Sequence, residues 1–394
     1  MDTPPSNSSG LRSEMPPAVL GGSWWQKLGK NKQIGVVAAA VIILLVAGAG
    51  VWAGLRPVSE RGDRFGNLPF SDIVEREAEP EPTPRGTSGL SGVTCEHSTR
   101  RPIGVMLAGD PINRPVSGFA GADFVWELPA LVSDVTRLTA FYQCSEPKDI
   151  GSVRSARHDY LFLAEGLDAI LAHWGGSYHA LNRIAVGEFQ TLNALTNPHN
   201  AFFRKSHLPA PYNGFTTYEG LWNALVKLGY RQETEFAGYD FKDDPPREGR
   251  PVGGTLTIPW PGAFRVSYEY NPETNRYERY WAGVKQVDGE DNATPVSPSA
   301  VVLVRAENVP AEGPGGYNDV GIEGEGDMTV YQDGIAIPGR WKKSVLDKRD
   351  PMQFFNQQGE PIVFTRGQIW AMAVEPNLQV VWESSEGHDQ TPDA

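Results

Sequence analysis

Cysteine is scarce in this chain, and its scarcity excludes several kinds of site. Only Cys95 and Cys144 occur among 394 residues, and neither belongs to a CxxC pair, so a zinc ribbon is excluded. In an oxidising compartment the two can form a disulfide, and the loop that it closes would stabilise the fold by about 4 kcal/mol in the chain-entropy model. Because of the membrane segment described below, we predict this disulfide. The alternative is two separate thiols in a reducing compartment.

The chain also has no excess of basic residues over acidic ones. The chain has 35 Lys and Arg against 48 Asp and Glu, and its formal net charge is −13. A nucleic-acid partner needs a basic field around the phosphates, so we expect no nucleic-acid binding. Hydrophobic residues make up 40% of the chain, which is enough for a sizeable core.

Short catalytic and cofactor motifs are absent as well. The sequence contains no HExxH, no GxSxG and no GxxxxGK[ST] pattern. We therefore predict no cofactor and no metal site that the sequence spacing reveals. A metal site assembled in space from some of the seven histidines stays open.

One long stretch without charge stands near the amino terminus. Residues 34–55 read IGVVAAAVIILLVAGAGVWAGL, and 22 such residues are long enough to span a bilayer as a single transmembrane helix. Trp24, Trp25 and Trp52 lie where interfacial aromatics belong. A cleaved signal peptide would have a shorter leader than 33 residues. No lipobox cysteine follows the run, so we expect a helix rather than a lipid anchor.

The charges that flank this helix are equal on its two sides, so they do not decide its orientation. Three lysines precede it and three arginines follow it: Lys27, Lys30, Lys32, Arg56, Arg61 and Arg64. We predict that the amino terminus is inside, with residues 1–33 a disordered cytoplasmic tail. Residues 56–94 are poor in large apolar side chains and rich in Pro, Glu, Gly and Ser, so we predict a flexible stalk.

Two globular domains are predicted after the stalk. Residues 95–244 alternate apolar strand patterns with helical ones, which indicates an α/β domain. Residues 251–385 consist of short strands separated by turns, which indicates a mostly antiparallel β domain. We interpret Pro245–Pro251 as a hinge between them and residues 386–394 as a disordered tail.

Several segments together resemble the YerB-like lipoprotein family. In the first domain they are RPIGVMLAGDPINRPVSGFAGADFVWELP, DVTRLTAFYQ, DIGSVRSARHDYLFLAEGLDAILAHWGGSYHAL and FFRKSHLPAPYNGFTTYEGL. In the second they are YNPETNRYERYWAG, VYQDGIAIPGRWKK and PMQFFNQQGEPIVFTRGQIWAMAVEP. The resemblance implies a bacterial protein of unknown function, anchored to the outer face of the cytoplasmic membrane. The chain departs from the family just after the first strand, where it has Ala108, Gly109 and Asp110 and an Asp-Asn pair is usual, and at Tyr212, where His is usual.

The stretch GSVRSARHD contains two arginines just before a predicted helix. Arg154 and Arg157 would lie beside the helix amino terminus, whose free N–H groups favour anions. Arg137 could supply a third guanidinium group, and paired guanidinium forks hold a carboxylate or a phosphate. The alternative is that these arginines pair with Asp123, Glu127 or Asp168 and brace the fold.

The stretch HWGGS is the second candidate segment. An apolar strand ends at His173, Gly175 and Gly176 turn the chain, and Ser177 can cap the next helix. Ligands in open α/β sheets bind at the carboxyl ends of strands, so both stretches, with Ser155, are predicted to line one crevice. The alternative is a tight turn that needs positive φ.

These features support three functional hypotheses. The first is a module that binds an anionic ligand or a cell-envelope polymer. The second is a cell-envelope hydrolase that uses carboxylates, such as Glu127 and Asp168, together with the arginines. The third is a structural partner of another membrane protein. The aromatics of the second domain either stack on sugars or fill a sandwich core: Tyr268, Tyr270, Tyr277, Tyr280 and Trp281.

Overall fold

The fold has two domains and is mostly β. The computed structural model describes residues 86–130, 135–311 and 316–385. Within these ranges the helices are α1 (His158–Gly166), α2 (Tyr178–Ala185) and α3 (Tyr218–Lys227). The strands are β1 (Gly86–Thr87), β2 (Thr94–Cys95), β3 (Ile103–Ala108), β4 (Phe124–Pro129), β5 (Thr136–Tyr142), β6 (Ile150–Gly151), β7 (Ile170–His173), β8 (Thr191–Asn193), β9 (Phe202–Arg204), β10 (Gly214–Thr216), β11 (Asp240–Lys242), β12 (Gly254–Ile258), β13 (Val266–Asn271), β14 (Arg276–Trp281), β15 (Val284–Lys285), β16 (Ala300–Arg305), β17 (Asn308–Pro310), β18 (Asn318–Val320), β19 (Gly324–Gln332), β20 (Ile335–Lys343), β21 (Gln353–Asn356), β22 (Val363–Thr365), β23 (Ile369–Val374) and β24 (Val381–Ser384).

One sheet of ten strands runs through both parts of the chain. Its order is β21-β20-β19-β16-β23-β4-β5-β3-β7-β8. The parallel pairing of β4 with β23 joins the two parts, because β4 comes from the first domain and β23 from the second. The strands β3, β4, β7, β8, β16 and β23 all run in one direction, so their carboxyl ends meet at the same edge.

Apolar residues cover both faces of this sheet, which explains the nearly continuous apolar runs of its strands. Alternate residues of β3 point to opposite faces: Val105 packs in one buried cluster and Met106 in the other. The first face packs against α3 and against a five-stranded antiparallel sheet of order β15-β14-β13-β12-β24. The second face packs against α1 and α2. The predicted α/β and antiparallel β character of the two parts is thus present, but the parts share one sheet.

A buried ion pair links the ten-stranded sheet to the five-stranded one. Glu127 of β4 and Arg279 of β14 are both fully buried, and their Oε2 and Nη2 atoms lie 2.6 Å apart. The same Oε2 accepts a hydrogen bond from Nε1 of Trp370 at 3.1 Å, and Oε1 accepts one from Oγ1 of Thr136 at 2.9 Å. Arg279 also donates from Nε to the hydroxyl of Tyr268 at 3.1 Å. Both charges are therefore paired and hydrogen-bonded, as buried charges must be.

The stalk ends earlier than the sequence predicts. Residues 86–94 pack onto the domain, and Leu90 is fully buried in its core. Ser91 donates to Oδ1 of Asp123 at 2.6 Å, so polar side chains also hold the segment. The prediction was wrong because it relied on the low apolar content of the segment. In the structure, small hydroxyl side chains form hydrogen bonds with buried polar groups there. Cys95 and Cys144, the predicted pair, form a disulfide with a Cα–Cα distance of 5.7 Å.

The predicted hinge at Pro245–Pro251 is held in place on both sides. Arg250 donates from Nε to the carbonyl of Pro245 at 3.0 Å and from Nη1 to the carbonyl of Pro272 at 2.8 Å. Just before it, β11 pairs in parallel with β22 of the second domain. Proline and glycine content alone does not make a hinge when an arginine side chain ties the backbone together.

The membrane prediction concerns residues outside the described ranges. Within the ranges that the structure describes, no helix is both long enough and apolar enough to cross a membrane. The predicted transmembrane helix at 34–55, the tail at 1–33, most of the stalk and the tail at 386–394 all lie outside those ranges.

Removing one partner of the buried ion pair should destabilise the protein strongly. Glu127→Leu and Arg279→Met each leave an uncompensated buried charge, which costs about 3–5 kcal/mol. The double variant should lose less than the sum of the two, because no charge is then left alone. Urea unfolding of the full-length protein, followed by tryptophan fluorescence, measures these losses.

Arg340→Met is the matched control, because Arg340 is 51% exposed and pairs with Glu325 and Asp327 at the surface. This substitution should lower the free energy of unfolding by less than about 1 kcal/mol. Equal losses in the control and in the Glu127 and Arg279 variants would contradict the importance of the buried pair.

Candidate functional site

The two candidate stretches lie side by side at the carboxyl edge of the ten-stranded sheet. The N–H of Arg154 donates to the carbonyl of Met106, and the N–H of Trp174 donates to the carbonyl of Arg154, at 2.8 and 2.9 Å. The N–H of Ala156 then donates to Gly175 at 2.9 Å, and that of Ser177 to Ala156 at 3.0 Å. Residues 152–156 are therefore inserted between the end of β3 and residues 174–177.

Three arginines converge at this edge, and we call Arg137, Arg154 and Arg157 the arginine cluster. Arg137 pairs with Asp110 at 3.1 Å between Nη1 and Oδ2. Arg154 lies over the ring of Tyr212 at 4.9 Å. Arg157 lies over the ring of Tyr317 at 4.8 Å. Among the residues that the structure describes, Asp110 is the only carboxylate that forms an ion pair with any member of the cluster.

The carboxylates proposed as bracing partners bind elsewhere. Asp123 accepts from Ser91 and from the backbone of Gln143 and Cys144. Glu127 pairs with Arg279, as described above. Asp168 pairs with Arg231 and contacts Arg101 at 3.4 Å. The bracing interpretation with these partners is therefore wrong for Arg154 and Arg157.

Burial without a counter-ion changes the acidity of these arginines. Arg157 is 7% exposed, and burial lowers its pKa to about 10, with the charge of Arg137 as a second cause. Burial and the Arg137 charge also lower the pKa of Arg154. The Nε atoms of all three arginines are buried without a hydrogen-bond partner. An anion placed here would supply the missing acceptors and offset the desolvated charge.

The other predicted site residues support the turn rather than line an opening. His173 is fully buried, and its Nδ1 donates to the carbonyl of Gly175 at 2.7 Å, since a carbonyl can only accept. The hydroxyl of Ser155 donates to the carbonyl of Trp174 at 3.2 Å. The predicted role of His173 as a pocket wall is therefore wrong, because its side chain is fully buried and reaches no solvent-accessible surface.

The glycines and Ser177 are explained by local geometry. Gly175 has φ of +65°, which a side chain would strain, and its N–H donates to Oδ1 of Asn193 at 3.1 Å. Gly176 is half-buried, close to Leu181. Ser177 caps α2 by accepting from the N–H of Ala180. The N–H of Gly175 is thus already paired, and the tight-turn interpretation holds for this residue.

The carboxylate pair suggested for hydrolysis does not face one cleft. Glu127 lies level with Leu107 near one edge of the sheet, whereas Asp168 precedes the residue that pairs with Ile103 at the other. Four residues of extended strand separate Leu107 from Ile103, or about 13 Å, and Asp168 lies two residues before Ile170, the partner of Ile103. Glu127 is also fully buried. These two side chains cannot act together on one bond.

A second group of titratable residues, unpredicted from the sequence, lies beside the start of α1. We call His158, Asp159 and Asp319 the His–Asp cluster. The Nε2 of His158 lies 3.2 Å from Oδ1 of Asp159 and 3.3 Å from Oδ1 of Asp319. Burial lowers the pKa of His158, whereas burial and the charge of Asp319 raise that of Asp159 well above its usual value.

Three more residues lie around the arginines, and the sequence indicated their place in the site only weakly or not at all. Asp110 and Tyr212 lie in the site and share a hydrogen bond, from the Tyr212 hydroxyl to Oδ1 at 3.2 Å. They are the two places where the chain departs from the family pattern, which was the available signal. Tyr317 comes from the second domain, and nothing in its local sequence indicated its contact with Arg157.

The aromatics of the second domain belong to the core. Tyr268 and Tyr277 are fully buried, and Tyr270 and Trp281 are at most 5% exposed. They pack between the five-stranded and ten-stranded sheets. The sugar-stacking alternative is therefore wrong for these four residues, because alternation on β13 and β14 turns them toward the other sheet.

A concave surface lies along β19 and β20, with a volume of about 890 Å³. Its charged residues already pair with one another: Arg340 with Asp327 and Glu325, and Lys342 with Glu325. This groove therefore offers little unpaired charge to a ligand, in contrast to the arginine cluster.

Fold and site together define a two-domain, mostly β protein with a cluster of arginines at one sheet edge. Two profiles of a family described as "Protein of unknown function (DUF3048)" match it. The N-terminal domain profile covers residues 87–231 and the C-terminal domain profile covers 256–371. The chain belongs to this YerB-like family, as its sequence motifs predicted.

Two relatives extend this comparison. "Putative lipoprotein YerB" of Bacillus subtilis (strain 168) is 28% identical over 312 residues, which are 77% of this chain and 90% of the relative. The crystal structure of the YerB protein from Bacillus subtilis matches with a TM-score of 0.67 and 26% identity. That match covers 76% of this chain and 99% of the crystallised one.

His173 should make the protein sensitive to mild acid. Burial lowers its pKa from 6.5 to about 4, so the unfolded state binds a proton first as the pH falls. The free energy of unfolding should therefore decrease between about pH 6.5 and pH 4, by up to about 3 kcal/mol. Urea unfolding at a series of pH values measures this decrease.

His173→Asn keeps a donor for the Gly175 carbonyl but removes the imidazole that titrates. The free energy of unfolding of this variant should therefore decrease less between these pH values. His207→Asn, at an exposed position, is the control and should behave like the unchanged protein. Parallel pH profiles for His173→Asn and the unchanged protein would contradict the assignment.

Proposed function

We propose that the protein is an extracytoplasmic, membrane-anchored binding module that holds an anionic ligand at the arginine cluster. The observation that carries the proposal is the imbalance of charge at this site. Three guanidinium groups meet there, and only Asp110 pairs with one of them among the residues described. A ligand with carboxylate or phosphate groups is the complement that this arrangement lacks.

The geometry favours binding over a bracing role. A bracing arginine would have a carboxylate partner, whereas Arg154 and Arg157 rest on the aromatic faces of Tyr212 and Tyr317. Such faces hold a cation in place while leaving its N–H groups available for a planar anion. Arg154 is half-buried, so the cluster can be reached from solvent.

An anionic polymer of the bacterial cell envelope is the ligand class that fits best. The chain has a net negative charge, so such a polymer would bind through local contacts between its phosphate or carboxylate groups and the arginine cluster. The relative's name describes it as a lipoprotein, which agrees with anchorage at the membrane. In this chain the segment at 34–55 would provide the anchor.

The anion site can be tested with two polymers of known chemistry. Isothermal titration of the full-length protein with short poly(glycerol phosphate) and with short poly-glutamate distinguishes phosphate from carboxylate ligands. Arg154→Lys and Arg157→Lys keep the charge but lose the fork geometry, so affinity for the bound polymer should fall at least tenfold. Arg340→Lys is the surface control and should bind normally.

Stability separates the binding role from a bracing role. Arg157→Gln removes a buried charge without a counter-ion, so the unfolding free energy of the ligand-free protein should fall by less than about 1 kcal/mol. The same variant should no longer be stabilised by the polymer. Loss of stability without loss of binding, or no binding of either polymer by the unchanged protein, would contradict the proposal.

The topology has a separate test. A reporter that is active only outside the cytoplasm, fused after Ala394, should be active in bacteria, because an inside amino terminus and one span place the carboxyl end outside. Deleting residues 34–55 should abolish its activity. Activity of a cytoplasm-only reporter at the same position would reverse the orientation.

A further inference from the structure

The His–Asp cluster has the spacing of a metal site. The ligand atoms of His158, Asp159 and Asp319 all lie within 4.8 Å of one another. Two ligands that bind one ion at about 2.0–2.1 Å with tetrahedral angles are about 3.3 Å apart. The observed separations from Nε2 of His158 to the two carboxylates, 3.2 and 3.3 Å, match that edge length.

Hydrogen bonding alone explains the cluster less well. Charge-assisted bonds from an imidazolium to a carboxylate are shorter, at about 2.7–2.9 Å. The Nε2 atom has one proton at most, so it can donate to only one of the two carboxylates. Both distances are long and nearly equal, as expected when the three atoms face a common centre.

Among the described residues, His158 is the one ion-pair partner that the two carboxylates of the cluster have. Asp159 is 3% exposed, and in the described ranges neither Asp159 nor Asp319 pairs with a lysine or an arginine. The Asp159 carboxylate accepts from its own N–H and from the N–H of Val320, the latter at 3.4 Å. A buried carboxylate beside a second carboxylate needs a proton or a cation between them.

We propose that His158, Asp159 and Asp319 bind one divalent transition-metal ion of the Zn²⁺ type. An imidazole nitrogen favours Zn²⁺ over Mg²⁺ and Ca²⁺, which prefer oxygen ligands alone. Three protein ligands leave a position open for water or for an anionic group. The side chain of Asp319 is 59% exposed, so the ion would enter from the solvent side.

This site adjoins the arginine cluster but does not depend on it. Arg157 directly precedes His158, and Tyr317, which lies under Arg157, comes two residues before Asp319. The two clusters therefore occupy neighbouring parts of one sheet edge. The metal proposal stands on its own distances and would survive if the arginines bound nothing.

Zn²⁺ alone is the probe for this proposal. The untagged full-length protein is treated with chelator, dialysed and titrated calorimetrically with Zn²⁺, and the bound metal is counted by elemental analysis. One ion per chain is expected, with a higher melting temperature on binding. Millimolar Mg²⁺ or Ca²⁺ should not displace it.

Asp319→Asn is the main variant because Asp319 is exposed, so we expect the substitution to leave folding intact. It should weaken Zn²⁺ binding at least tenfold, and Asp327→Asn, an exposed carboxylate of β19, should leave it unchanged. Arg154→Lys should also leave Zn²⁺ binding unchanged, which separates this site from the anion site. Absence of stoichiometric Zn²⁺, or equal binding by Asp319→Asn and the unchanged protein, would overturn the proposal.

Discussion

The fully buried pair of Glu127 and Arg279 is the interaction on which the rest of the structure depends. Glu127 belongs to the central strands of the ten-stranded sheet, and Arg279 comes from the five-stranded sheet packed on it. Taking two charges out of water is costly, so the pair persists only because further donors and acceptors complete it. It fixes how one sheet lies on the other, since either charge would be unpaired in a different arrangement.

The same sheet determines where chemistry can occur. Strands from both domains run in parallel and end at one edge, and loops from both domains meet there. The arginine cluster takes its arginines from the first domain and one aromatic face, Tyr317, from the second. The His–Asp cluster likewise joins His158 and Asp159 to Asp319. A site of this kind exists only when the two domains share the sheet.

The two clusters differ in how charge is left unbalanced. At the arginine cluster, positive charge is buried with too few acceptors, which favours an anion. At the His–Asp cluster, one buried and one exposed carboxylate share a single imidazole nitrogen, which favours a cation. Their proximity along one edge suits a ligand with an acidic group that also binds a metal ion.

Local pattern was enough to predict the longer apolar strands and the helices that begin after Arg157 and Ser177. The apolar runs at β3, β4, β5, β7, β16 and β23 follow from burial on both faces. The arginines were found because small residues and two guanidinium groups precede a helix. The roles of His173 and of the stalk's end were wrong, because burial depends on contacts from distant parts of the chain.

The sequence by itself determined the family, the apolar strands, the disulfide partners and the arginines of the candidate site. These depend on residue type and on spacing within short segments, which the sequence contains directly. Only the tertiary structure decided that β4 pairs with β23, that Glu127 faces Arg279 and that Asp319 meets His158. Those partners lie more than 150 residues apart, and no local preference specifies a contact over such a distance.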